Sequence, residues 1–303
     1  MSSHDASLNV HPTCSMCKIH NIDNHLLFVT TPEPHELAFH VFESDDDNND
    51  NVPVIAVHGL TRTSHDFDEI ARVLKHQGTV YCLDMPGRGR SQPLALPEHY
   101  SYNTYVNDVF SFLSYANLGS VNWIGSSMGG ILGMLIASRP NSPIKKLVLN
   151  DIGYFIPFIA LKQISENVSQ TGPFRSYELA AQHLRNVYAQ FGFTTEEEWN
   201  HFVEVSVKKV DDNYYLHYDP AIASQFQKSV QNEQDIDLWQ IWETIDIPVL
   251  VLRGEESIIL PKEVADKMGE KDNCTVAEIK NCGHCPSLTS REHIDLIAGF
   301  FSR

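Results

Sequence analysis

A serine between glycines is the first feature of this sequence that could carry chemistry. The segment GSSMG at residues 125–129 fits the pattern G-x-S-x-G, follows the apolar run SVNWIG and opens a helix-like segment. At such a strand-to-helix turn the serine adopts a strained backbone conformation that exposes its hydroxyl, and the crowded flanking positions require glycine. Ser127 is therefore predicted to be a nucleophile for acyl transfer.

A serine nucleophile needs a base, and with this motif the base comes late in the chain. Of the 15 histidines, only His284 and His293 follow the last strand-like run, CTVAEI. His293 falls within the predicted final helix, so His284, in a loop, is the predicted base. The flanking Cys282 and Cys285 spell C-x-x-C, but the 18 residues that follow leave no room for a redox domain. A disulfide between them that tethers the His284 loop is a separate hypothesis.

The developing oxyanion needs two N–H donors. The backbone N–H of Met128 is the predicted first donor, and that of Leu60, in the sequence HGLTR after the strand VPVIAV, is the second. His58 and Arg62 in the same loop are predicted to bind substrate, Arg62 through a carboxylate. The structural alternatives are that His58 braces its loop and that Arg62 forms a salt bridge with Asp66.

Alternating strand-like and helix-like segments position these residues. Short apolar or β-branched runs alternate with helical segments over residues 52–151 and again from residue 247, which indicates a parallel sheet covered on both faces. Residues 153–244 interrupt the alternation and look mainly helical. We therefore predict a flexible tail at 1–20, an α/β core formed by 21–152 and 245–303, and a helical cap inserted at 153–244.

Composition and charge limit the partners, location and cofactors that this protein is expected to have. The 303 residues include 22 basic and 39 acidic side chains, a net charge of −17, which disfavours nucleic acid and anionic membranes as partners. No apolar run approaches the ~20 residues of a membrane span, and the N-terminus lacks a signal-like apolar region, so a cytoplasmic location is expected. Cys14 and Cys17 with His20 or His25 make only half a zinc motif, so no metal and no cofactor are predicted.

Six motifs occur in an order and spacing that resemble the α/β-hydrolase superfamily, especially its capped esterases, carbon–carbon hydrolases and amide hydrolases. The resemblance implies an eight-stranded, mostly parallel sheet with a helical cap after the sixth strand. It also implies a small-molecule acyl substrate, with a carboxylate-bearing one among the alternatives, and a monomer or homodimer. The motifs are VHGLTR (57–62), DMPGRGRS (84–91), WIGSSMGG (123–130), LVLNDIG (147–153), VLRGEES (251–257) and GHCP (283–286).

The acid that orients the base departs from the superfamily pattern. Most members carry an aspartate shortly after strand seven, where this chain reads RGEESI. Some members place it after strand six, and that position here is Asp151. Asp151 is the favoured acid, with Glu255 or Glu256 as the alternative.

The predicted function is hydrolysis of an ester, thioester, lactone, amide or activated carbon–carbon bond through an acyl-enzyme. Two alternatives stay open. One is a ligand-binding receptor of the same fold with slow or no turnover, and the other is a cofactor-free lyase or acyltransferase.

Overall fold

The structure is a computed structural model that describes residues 23–45 and 51–302. The predicted tail at 1–20 and the partial zinc motif at Cys14, Cys17 and His20 lie outside the described residues. No described helix is both long and apolar enough to cross a lipid bilayer.

One eight-stranded sheet forms the centre of the fold. Its strand order is β1-β2-β4-β3-β5-β6-β7-β8, and the pairs from β4 to β8 are parallel while β1 and β2 add antiparallel pairs at one edge. The predicted eight-stranded, mostly parallel sheet is confirmed. The strands are β1 Asp23–Val29, β2 His35–Phe42, β3 Val54–Val57, β4 Val80–Leu83, β5 Val121–Ser126, β6 Ile144–Asn150, β7 Val249–Gly254 and β8 Cys274–Ile279.

The strands read as continuous apolar runs because both faces of the sheet are buried. In β5, Trp123 enters the core on one face and its neighbour Ile124 enters the core on the other; Val251 and Leu252 divide in the same way in β7. Because successive side chains of a strand point to opposite faces of the sheet, each strand contributes to both cores. This is the physical basis of the pattern that predicted the sheet.

Helices cover both faces. The α-helices are α1 Asp68–Leu74, α2 Tyr102–Tyr115, α3 Met128–Ala137, α4 Phe158–Val168, α5 Tyr177–Val187, α6 Glu196–Ser206, α7 Pro220–Ser229, α8 Trp239–Glu243, α9 Lys262–Met268 and α10 Arg291–Ser302. Side chains of α2, α3 and α9 join the core on one face, and those of α1 and α10 join the core on the other.

The segment between β6 and β7 contributes no strand to the central sheet. It contains α4 to α8 and two short antiparallel ladders, Phe155–Ile156 with Ile236–Asp237 and Val207–Val210 with Asn213–Leu216. We call residues 153–244 the insert. Its helices lie over the loops that follow the strands, because side chains from α4, α6 and α7 share one cavity with those loops.

Candidate active site

Ser127 lies at the turn between β5 and α3. Its φ of +49° and ψ of −110° place a non-glycine residue in a conformation that L-amino acids rarely adopt. A Cβ at Gly125 would collide with the backbone of Gly129, and one at Gly129 would collide with the carbonyl of Val57. The glycines at both flanks therefore permit the sharp turn that directs Ser127 into the cavity.

Three side chains from three separate loops form one hydrogen-bonded line. Ser127 Oγ lies 3.0 Å from His284 Nε2, and His284 Nδ1 lies 2.7 Å from Asp151 Oδ2. Asp151 is fully buried, directly after β6, whereas His284 is partly exposed in the loop after β8. With Nδ1–H donated to the carboxylate, the lone pair on Nε2 is free to accept the serine proton.

Asp151 is held from two further directions. The backbone N–H of Gly254 donates to its Oδ1 at 2.9 Å, and the hydroxyl of Ser257 donates to its Oδ2 at 2.6 Å. Glu255 and Glu256 are exposed, and neither side chain contacts His284 in the described residues. The structure therefore brings Asp151 to the base and leaves both alternative acids outside the site.

Ser257 was missed by the sequence reasoning. Its signal was present, because it follows β7, the position where most α/β-hydrolases carry the acid. Its hydroxyl also accepts the backbone N–H groups of Ile259 and Leu260, at 3.2 and 3.1 Å, which fixes the rotamer that points at Asp151.

The two predicted oxyanion donors lie beside the serine. Leu60, Met128 and Ser127 line the same cavity, and a Cβ at Gly59 would be 3.8 Å from the Ser127 Cβ. Met128 is the first residue of α3, so its N–H points out of the positive end of the helix. The buried Arg88 donates from Nε to the Leu60 carbonyl at 2.9 Å, a brace for this loop that the sequence reasoning did not find.

The cavity has a volume of about 1230 Å³, larger than the roughly 300–1,000 Å³ of common small-molecule pockets. On the side of the insert, its walls mix apolar side chains with polar ones such as Gln163, Asn167 and Gln225. Insert residues that line it include Leu161, Ile164, Phe191, Phe202, Ile222 and Phe226.

A family model for the alpha/beta hydrolase fold matches residues 52–290. The chain belongs to the α/β-hydrolase family. This hydrolase is 36% identical over 276 residues to the 3-hydroxybutyrate-oligomer hydrolase of Cupriavidus necator, an alignment that covers 88% of this chain and 93% of the relative.

Solved structures agree on the fold. A crystal structure of an α/β-hydrolase from Novosphingobium aromaticivorans matches with a TM-score of 0.84 and 27% identity, covering 93% of this chain and 98% of the other. E-2-(acetamidomethylene)succinate hydrolase matches with a TM-score of 0.80 over 93% of this chain and 100% of the other. At 18% identity, that second likeness speaks for the fold alone.

His58 of this α/β-hydrolase braces its loop, contrary to the prediction that it binds substrate. The ring is fully buried; its Nδ1 lies 2.7 Å from the Gly59 carbonyl, and its Nε2 accepts the Met85 N–H at 3.0 Å. Burial lowers the pKa of His58 to about 4, so the ring is neutral at pH 7. The sequence HG could not reveal this, because both partners are backbone groups.

Arg62 lines the cavity but is already paired. Its Nε and Nη2 donate to the Asp66 carboxylate, with Nε 3.0 Å from Oδ2, and its Nη1 donates to Ser206 Oγ at 2.6 Å. The guanidinium also stacks on Phe202, with Cζ 3.8 Å from the ring centroid. The geometry thus matches the predicted alternative of a salt bridge with Asp66, and it ties the loop after β3 to α6.

We expect Arg62→Ala to act on stability rather than on substrate charge. Loss of a largely buried ion pair should cost about 3 kcal/mol of unfolding free energy, measured by urea denaturation. KM should change equally for p-nitrophenyl esters with and without a terminal carboxylate. A rise in KM confined to the anionic ester would instead assign Arg62 to substrate binding.

Cys282 and Cys285 are both buried, and neither forms a disulfide. Burial raises the pKa of the Cys282 thiol to about 12 and that of Cys285 well above its usual range. Their sulfur atoms face different acceptors, Cys282 the Gln190 carbonyl and Cys285 the Asn150 carbonyl, each at 3.4 Å. Thiolates are therefore disfavoured at both positions, and the tethering disulfide stays a hypothesis.

We expect Ser257→Ala to lower kcat about tenfold, because a hydrogen bond to a charged, buried acceptor contributes about 1.5–3 kcal/mol. KM should stay within a factor of two, roughly, since Ser257 does not line the cavity. Steady-state kinetics on p-nitrophenyl acetate measure both values. Ser257→Thr, which keeps the hydroxyl, should recover most of kcat; equal loss in both variants would contradict a role through Asp151.

Proposed function

We propose that this α/β-hydrolase is a serine esterase with Ser127 as nucleophile, His284 as base and Asp151 as the acid that orients the base. The observation that carries the proposal is the unbroken line from Ser127 Oγ to His284 to Asp151 at 3.0 and 2.7 Å. Its serine end opens into the cavity below the insert.

In the proposed reaction, Ser127 Oγ attacks the ester carbonyl while His284 Nε2 takes its proton. The tetrahedral oxyanion is held by the N–H groups of Leu60 and Met128. His284 then gives the proton to the departing alkoxide, which leaves an acyl-enzyme on Ser127. Water attacks that ester with His284 as base, releases the acid and restores the serine. Asp151 keeps its charge throughout and stabilises the imidazolium.

We infer that the substrates are short oligoesters of a hydroxy acid. Two observations support this. The relative from Cupriavidus necator, which aligns over most of both chains, is a 3-hydroxybutyrate-oligomer hydrolase. The cavity, at about 1230 Å³, is large enough for several ester units. In this proposal residues 153–244 act as the cap, whose apolar side chains pack on the methyl groups of such a chain and whose polar side chains, Gln163 and Gln225 among them, face its ester groups.

The test is hydrolysis of the dimer and trimer of 3-hydroxybutyrate, followed by chromatography of the released monomer, with p-nitrophenyl acetate in parallel. We expect turnover of both, with a kcat/KM for the trimer about tenfold or more above that for the dimer if several units are bound. Turnover of p-nitrophenyl acetate alone would support the proposed esterase activity and refute the proposed substrate class. Tight binding of oligomer without turnover would favour the receptor alternative.

A further inference from the structure

A second cluster of chemistry-bearing side chains lies apart from the Ser127 line. His40 comes from β2, His65 from the loop after β3, and Asp68 from the first residue of α1. One ligand atom of each lies within 4.8 Å of the others. His65 Nδ1 is 3.0 Å from Asp68 Oδ2, and the rings of His40 and His65 meet edge to face with centroids 4.2 Å apart.

A fourth group approaches from the insert. His201, on α6, has its Nε2 3.7 Å from Asp68 Oδ2, and its side chain is about one quarter exposed. His40, His65 and Asp68 are buried. The cluster therefore joins an edge region of the sheet, the loop that carries Leu60 and one helix of the insert.

Several atoms of this cluster lack hydrogen-bond partners among the described residues. His40 is fully buried, yet neither of its ring nitrogens is paired. Asp68 Oδ1 and His201 Nε2 are also unpaired. A buried polar atom without a partner costs about 1–3 kcal/mol, and native proteins seldom leave one in that state. His40 and Asp68 belong to the group whose ligand atoms lie within 4.8 Å of one another, and the unpaired His201 nitrogen adjoins it through Asp68. These unpaired atoms point to a bound partner beside Asp68.

The donor set selects the kind of partner. Neutral imidazole nitrogens and a carboxylate oxygen are the ligands of zinc and related divalent metals. Asp84, another buried carboxylate of this core, is not available for the same role. Its two oxygens already accept the backbone N–H groups of Ser64 and Arg90, at 2.7 and 3.1 Å.

We propose that His40, His65 and Asp68 bind one zinc ion and that His201 completes a four-ligand site. With all four positions filled by protein, such a site is structural and activates no water. It fixes the loop after β3, which carries Leu60 and Arg62, against β2, and it ties α6 of the insert to the core. The site shares no residue with the Ser127 line, although His65 and His201 also line the cavity into which Ser127 opens.

The experiment measures zinc bound to the full chain carrying Cys14→Ser and Cys17→Ser, so that the thiols near the N-terminus do not contribute. After zinc loading and dialysis, inductively coupled plasma mass spectrometry should find about one zinc per chain. Zinc should raise the melting temperature of the metal-stripped protein, because a ligand that binds only the folded state stabilises it.

Two variants and a control decide the location. Asp68→Asn should lose the bound zinc, and His201→Ala, at a partly exposed position that tolerates substitution, should weaken zinc binding about tenfold or more. His76→Ala is the control, because His76 is exposed and pairs with Asp45, away from the cluster, in the part of the chain that the structure describes; it should bind zinc like the parent. A parent chain that binds no zinc, or zinc binding unchanged in both His201→Ala and Asp68→Asn, would overturn the proposal.

Discussion

Replacing Ser127 with alanine should lower kcat on p-nitrophenyl acetate by about 10⁵-fold or more, since removal of a serine nucleophile abolishes the acyl-enzyme route. Fold and stability should persist, because the strained turn depends on Gly125 and Gly129 and on backbone hydrogen bonds from α3 to the Ser127 carbonyl. Single-turnover and steady-state kinetics, with circular dichroism on the same preparation, provide the measurement.

The matched control for this variant is Ser138→Ala, at the other end of the same helix. The Ser138 hydroxyl donates to the Leu135 carbonyl, at 3.2 Å, and Ser138 is not among the residues that line the cavity. Its kcat should stay within about twofold of the parent. If Ser127→Ala kept a comparable kcat, Ser127 would not be the nucleophile, and turnover would have to come from another group in the cavity.

Replacing Asp151 with asparagine should lower kcat by about 10³–10⁴-fold. The amide can still accept the Gly254 N–H, so the loop should stay folded. However, an amide group cannot stabilise the imidazolium that forms on His284, and it favours the wrong tautomer of that ring. Because Asp151 acts on Ser127 through His284, the variant should keep the serine hydroxyl in place but activate it poorly.

Glu255→Gln and Glu256→Gln serve as matched controls, since both carboxylates were candidates for the same role. Both residues are exposed, and among the described residues the Glu255 carboxylate accepts the Asn281 N–H, at 3.3 Å, and no hydrogen bond from His284. We expect each variant to retain kcat within about twofold. A loss of 10³-fold or so in either one, with Asp151→Asn close to the parent, would move the acid to the loop after β7.

The sequence predicted best those features whose function and local backbone conformation both restrict the residue types at nearby positions. Ser127 could be found because its turn requires glycine at fixed offsets, and His284 because only two histidines follow the last strand-like run. The parallel sheet could be predicted because strands buried on both faces read as continuous apolar runs, as in β5. Each of these signals lies within a few residues of the feature that it predicts.

Features that depend on long-range contacts were not predicted. Ser257 meets Asp151 across 106 positions, and Arg62 meets Ser206 across 144. His40 lies in a strand whose pattern gives no reason to expect His65 and Asp68 beside it. Such contacts depend on how the strands, the loops and the insert are placed in space. A polar residue in an apolar segment shows that it needs a partner, but not which residue that partner is.

The most direct test of the central claim is intact-protein mass spectrometry after reaction with a fluorophosphonate, followed by peptide mapping of the modified residue. We expect one phosphonate adduct on Ser127, no adduct in Ser127→Ala, and an adduct in Asp151→Asn that forms about 10³-fold more slowly or worse than in the parent. An unmodified parent protein, or an adduct that persists in Ser127→Ala, would contradict the assignment of an activated serine at this site.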